Sequence, residues 1–193
     1  MKLTALCAGM LCLVFPGMAK MPNSLPHGLT VVDWTQIRAE YERHRHGMFP
    51  DGGGFKARSF EQQWLARFDG RGFLVEPDEG DWRWGLELVG VEGKARVSTD
   101  VNRVTYRWSA DLDEWFVNDT RGLEHGFTLR APREIRLTVR GGLQPRAAGA
   151  GVEFADSSGT ARIKYSGLAA WDAAGRTLPA QMDAASLNAS AKG

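Results

Sequence analysis

The chain has 193 residues, enough for one domain or one domain with appendages, and a chain of this size buries about 70% of its unfolded surface on folding. With 43% hydrophobic and 24% charged residues it has an ordinary globular composition, and seven Trp and nine Phe supply apolar area for a core. A formal net charge of +1 excludes a protein built around a polyanion, so nucleic acid is not an expected partner, and the excess of Arg over Lys reads as codon bias.

Lys2 precedes an apolar run from Leu3 to Phe15, broken only by Thr4 and Gly9, and then "PGMA". Gly17 and Ala19 fit a G-x-A cleavage site, so residues 1–19 are expected to be a signal peptide, with Lys20 opening the mature chain. The alternative is a buried N-terminal helix or strand. The run is shorter than the ~20 apolar residues that cross a bilayer, so no transmembrane segment is expected in the mature chain. Lipid attachment at Cys7 or Cys12 lacks the small preceding residues that processing prefers. Both cysteines lie within the leader, which implies a cysteine-free mature chain without disulfides, thiolate metal sites or a cysteine nucleophile. Removing residues 1–19 leaves 23 basic residues against 23 acidic ones. Export to a bacterial periplasm or exterior fits these features.

Residues 20–59 read as a leader to the fold: a loose stretch with Pro22, Pro26 and Gly28, a short helix near 33–46, and the Gly-rich loop "PDGGGF". Asp33 with Gln36 makes a capping pattern, Trp34, Ile37 and Tyr41 follow helical spacing, and Gly47 ends the helix. Beyond it the period changes to two. "QWLARF" alternates Trp64, Ala66 and Phe68, and "DGRG" turns it into "FLV", although Ser59 and Gln62 also offer a competing helix cap. "DWRWGLELV" places Trp82, Trp84, Leu86 and Leu88 on one side, and "VTYRW" does the same with Val104, Tyr106 and Trp108. "EWFVN" and "GFTL" flank "DTRGLEHG"; "EIRLTVR" sets Ile135, Leu137 and Val139 inward. "VEF", "ARIKY", "GLAAW" and "RTLPAQM" complete a series of short strands separated by "DSSG" and "DAAG". The reading is mainly β: an antiparallel β-sandwich over residues 60–182 with one short N-terminal α-helix, and a disordered tail at 183–193.

Asp119, Arg121, Glu124 and His125 form the most site-like cluster. A Glu–His neighbour pair can serve as an acid/base couple, yet Asn, Asp and Gly at this place are also what a strand-to-strand turn needs. No G-x-S-x-G or similar nucleophile motif accompanies it, so the turn is favoured and no catalytic residue is assigned. His44 and His46 diverge on a helix, and "EPDEGD" and "DLDE" lack calcium-loop spacing, so neither a metal nor a cofactor is expected. Arg136 and Arg140, on the outer face of one strand among further arginines, could meet an anionic polymer; Trp82 and Trp84 could stack on sugars, but their apolar side favours the core. Asn118 and Asn188 head glycosylation patterns, relevant only in a eukaryotic secretory pathway.

Several stretches taken in order, "IRAEYERHRHGMFP", "QQWLARFDGRGFLVEPD", "WRWGLELVGV", "EWFVNDTRGLEHGFTL", "VRGGLQPR" and "YSGLAAWDAAGRTLPA", resemble the N-terminal β-rich segment of exported bacterial proteins that carry FG-GAP (VCBS-type) repeats. The resemblance covers roughly residues 34–182. It implies export and a β-sandwich, and gives the segment no activity or catalytic residues. The chain departs from the family in stopping where the propeller repeats would begin, in a shortened "GVEGKARVST", and in having no D-x-D-G-x-x-D calcium loop. The expected role is a non-enzymatic accessory or interaction module of the cell envelope or exterior, its partner a cell-surface protein or polysaccharide. The alternatives are a carbohydrate- or surface-polymer-binding domain, a hydrolase centred on Glu124 and His125, and a truncated relict of a repeat protein without activity alone.

Overall fold

The computed structural model describes residues 5–11 and 25–184. It is mainly β, with two antiparallel sheets and one short helix near the N-terminus. Among the described residues, no helix is long and apolar enough to cross a membrane.

Helix α1 spans Val31–Arg45, two residues earlier than the capping pattern at Asp33 suggested. Thr30 is its N-cap: the hydroxyl accepts from the Asp33 amide at 3.2 Å, and the Asp33 carboxylate accepts from the Thr30 amide at 3.2 Å. The two residues satisfy each other's open groups, and Asp33 adds negative charge to the first turn. Asp33 therefore serves as the third helical residue of the box and not as the cap.

Sheet B carries β2 (Met48–Asp51), β3 (Gly54–Ser59), β4 (Trp64–Phe68), β5 (Phe73–Pro77), β6 (Trp84–Leu88) and β11 (Leu137–Gly141), in the order β11-β6-β5-β4-β3-β2. The expected Gly-rich loop is the two-residue turn of the β2–β3 hairpin, with Gly52 at φ 58°. The sheet therefore begins at Met48, ahead of the expected start at 60. Ser59 and Gln62, offered by the sequence as a helix cap, do bond through their side chains, but the chain turns there into β4 with Gln63 at φ 54°.

Sheet A holds β7 (Arg96–Asp100), β8 (Arg103–Arg107), β9 (Leu112–Asp119), β10 (Gly122–Leu129), β12 (Gln144–Ala148), β13 (Gly151–Ala155), β14 (Ala161–Asp172) and β15 (Thr177–Leu178). "ARIKY" and "GLAAW", read as separate stretches, form the single strand β14, whose register shifts near Gly167 at φ 81°. A further strand, β1 (Ala5–Leu11), lies between β10 and β14 and pairs antiparallel with both, giving the order β12-β13-β14-β1-β10-β9-β8-β7, with β15 also on β14. These residues fall inside the expected signal peptide; the rest of that segment, and the tail beyond 184, lie outside the described residues.

The sheets pack face to face through aromatic side chains. Phe73 of β5 meets Phe116 of β9 with ring centroids 5.3 Å apart, and Trp84 of β6 meets Phe154 of β13 at 4.8 Å. Tyr106 of β8 crosses between sheets: its hydroxyl accepts from the Gly70 amide at 3.0 Å and donates to the Gly72 carbonyl at 2.8 Å. Burial pushes the Tyr106 hydroxyl well above the usual phenol range, which keeps it in the neutral form that can donate. At one end, the Asn118 side-chain amide donates to the carbonyls of His46 and Arg58 at 3.1 and 2.9 Å. Asn118 is thus a buried tie between sheets and no accessible glycosylation acceptor.

Candidate functional site

The β9–β10 hairpin separates the four residues that the sequence places side by side. Asp119 and Arg121 stay at the turn, where the Asp119 carboxylate accepts from the Arg121 amide at 2.8 Å and from its guanidinium at 2.6 and 3.0 Å. Glu124 lies on the outer face, 3.6 Å from Arg121. His125, one residue further, points to the opposite face, because side chains alternate along a strand. Neighbours in sequence thus stand on opposite sides of the sheet, and Glu124 with His125 cannot act as an acid/base couple. Only Thr120 and Arg121 make the turn, and Glu124 and His125 lie within strand β10.

The carboxylate partner of His125 is Glu114, on the adjacent strand. Its Oε1 lies 2.9 Å from His125 Nε2. Glu114 Oε2 accepts from the Trp108 indole N–H at 2.9 Å, and His125 Nδ1 lies 3.2 Å from the Tyr165 hydroxyl on β14. One assignment satisfies every group: His125 carries its hydrogen on Nε2, donates to Glu114, and accepts the Tyr165 hydroxyl hydrogen at Nδ1. Aromatic rings enclose this row. His125 stacks on Phe116 at 4.6 Å, and Phe127 and Phe73 close other sides at 4.7 and 5.7 Å. The parts are those of a proton relay, but His125 is 1% exposed and Glu114 0%, so no substrate reaches either in this packing. A buried polar row with every member paired instead specifies one arrangement of the core. Sequence reasoning found His125 and missed Glu114. The signal was present, since an inward-facing Glu in "LDEWF" would need a buried partner.

The remaining candidates also disperse. Arg136 precedes β11 and pairs with Glu134 at 2.8 Å. Arg140 holds Asp69 through two bonds of 3.1 and 2.8 Å and lies 3.7 Å from Glu87. Arg130 and Arg146 likewise hold Asp113 and Glu153. The arginine-rich segment is therefore laced with its own carboxylates. Trp84 is buried in the core, and Trp82 is partly buried against it. No Trp in the chain is exposed beyond the half-buried range. "DLDE" splits by the two-residue period, Asp113 facing Arg107 and Arg130 while Glu114 faces His125. His44 faces Glu40 at 2.8 Å, whereas His46 is buried beyond the helix end. Among the described residues, no group of three or more His, Cys, Asp or Glu side chains is placed to hold a metal ion.

Helix α1 offers a different kind of surface. Val31 and Val32 are 70% and 64% exposed, and Ile37 and Tyr41 48% and 46%. The helix end is fixed to the sandwich by Arg45, which meets Glu61 at 3.0 Å and covers the Phe60 ring at 5.1 Å.

These features define an antiparallel β-sandwich with a sealed polar row and an N-terminal helix that leaves apolar side chains in solvent. No protein-family model, curated protein or solved structure matches the chain.

Proposed function

We propose that this chain is an exported interaction module of the bacterial cell envelope or exterior, without catalysis of its own, that meets a protein partner through helix α1. The observation carrying this reading is the exposure of four apolar side chains, Val31, Val32, Ile37 and Tyr41, spread around a mostly polar helix. Exposed apolar side chains gathered on one element, anchored at one end by the Arg45–Glu61 pair, are what a partner can cover with a gain of free energy. The sequence adds the apolar leader and the ordered motifs resembling the N-terminal segment of exported FG-GAP repeat proteins.

The test is made in a bacterial host producing the full chain. Fractionation locates the protein, and a photo-crosslinking residue is placed at Ile37 in one culture and at exposed Val89, in sheet B's outer loops, in another. The expected result is an extracytoplasmic protein with a discrete adduct from position 37 and none from 89, weakened at least tenfold by Val32→Asp. Retention in the cytoplasm, or the same adducts from both positions, would sink the proposal.

A further inference from the structure

Strand β1 occupies an interior place in sheet A. Six of its residues pair with β10, from Ala5↔Leu129 to Met10↔Glu124, and six with β14, from Ala5↔Asp172 to Leu11↔Tyr165. The same residues lie within the leader that export would remove. A mature chain beginning at Lys20 would keep β10 and β14 but lose the strand that joins them, and two facing edges of the sheet would be left with unpaired amides and carbonyls.

Three observations bear on what then fills the gap. The His125–Tyr165 bond of 3.2 Å reaches from β10 to β14 across the whole width of the intervening strand. Strand backbones lie about 4.8 Å apart, so these two stand roughly two spacings from each other. Closing β10 directly onto β14 would halve that separation and drive Tyr165 into the packed rings around His125. Next, the segment that follows the leader carries Pro22 and Pro26, and proline cannot donate to a ladder inside a sheet. Finally, the side chains flanking the gap are specific. Leu123, His125, Phe127 and Leu129 on β10 are buried, as are Tyr165 and Ala170 on β14, and the residue in register with His125 is Gly9.

Resting on the export reading above, we propose that removal of the leader opens a slot between β10 and β14, and that an extended strand of a partner protein completes it. The incoming strand runs antiparallel to both edges over about six residues, carries no charge, and has a glycine in register with His125, as Gly9 is. Backbone ladders on both sides supply the attachment, and the glycine supplies the register. Segment Ala5–Leu11 holds the place in the precursor.

The experiment uses the protein recovered from a bacterial host expressing the full chain. Intact mass gives its N-terminus, and amide hydrogen exchange is followed in β9, β10 and β14, alone and with a synthetic peptide ALCAGML. The expected result is a chain starting at Lys20 in which the β10 and β14 amides that face the gap exchange at least 100-fold faster than those of β9, and are protected by the peptide. The peptide with Gly9→Val should protect at least tenfold less. A mature chain that is unfolded alone but folds on adding the peptide supports the same conclusion; one that stays unfolded overturns it. A cleaved chain with β10 and β14 protected without peptide overturns the slot while leaving export intact. An uncleaved chain overturns both, with β1 a permanent strand of the sheet, and the mass alone tells these two failures apart.

Discussion

The Arg140 guanidinium holds the Asp69 carboxylate through two parallel bonds of 3.1 and 2.8 Å, joining β11 at one edge of sheet B to the turn between β4 and β5. Asp69 also accepts from the amides of Arg71 and Gly72 at 3.1 and 3.3 Å, so one carboxylate organises the hairpin turn and anchors a strand distant in sequence. The neighbouring glycines 70 and 72 are those that Tyr106 grips from the opposite sheet.

This arrangement has a pH signature. Partial burial acts to raise the Asp69 pKa, but Arg140 and the two backbone amides outweigh it and hold it at about 2. A carboxylate lowered on folding stabilises the native state above its unfolded pKa of about 3.9, and that contribution fades as pH falls from about 4 through 2. Because the side chain is well exposed, solvent screening reduces the contribution to about 1 kcal/mol. Asp69→Asn should melt about 2–4 °C below wild type at pH 7, a gap that closes near pH 2. Equal gaps at both pH values would assign the loss to the turn geometry and not to the charge.

Removing Glu114 should be far more costly than removing Glu124, two carboxylates ten residues apart on one hairpin. Glu114→Ala leaves His125, Trp108 and Tyr165 in a dry core with a broken row, a loss of about 3–5 kcal/mol, or about 6–20 °C in melting temperature. Glu124→Ala faces solvent and should stay within about 0.5 kcal/mol. Calorimetry on the two variants decides whether the polar row is structural.

Gly126 is required by Trp115. A Cβ at position 126 would stand 2.2 Å from Trp115 Cζ2, so the indole must leave its place, where the Arg103 guanidinium covers it at 4.3 Å. Gly126→Ala should destabilise by about 1–3 kcal/mol and alter tryptophan fluorescence. In a Trp115→Leu background the same change should cost measurably less, since the clash is gone. Additive losses would show that the ring is not what excludes a side chain there.

Thr30→Ala should act on the helix alone. Loss of an N-cap costs about 1 kcal/mol, and α1 joins neither sheet's ladder. Far-UV circular dichroism should show reduced helicity, with the main melting transition moved by less than about 2 °C. A larger shift would mean that α1 is packed into the cooperative unit.

Period-two alternation, with Asp-Gly and Asp-x-x-Gly turns, made most strands readable in the chain itself. Trp64, Ala66 and Phe68, or Val104, Tyr106 and Trp108, declare their inward face locally, and the fold class follows from repeating that pattern. The helix was legible too, although its start was displaced because Thr30 and Asp33 outcompete Asp33 and Gln36 as a cap. Strands β2 and β3 were hidden by glycines at 52–54, which serve a tight hairpin as well as a loop.

What the sequence by itself determined is therefore the class of fold and the spacing of its turns. Tertiary structure alone decided which neighbours were partners. Glu124 and His125 are adjacent in the chain and face apart, while Glu114 and His125, eleven positions distant, are hydrogen-bonded across a ladder. Arg140 meets Asp69 over 71 positions. Alternation and turn chemistry depend on the nearest few residues and can be read along the chain. Strand order and register depend on packing two sheets at once, and only there does a charged side chain find the group that satisfies it.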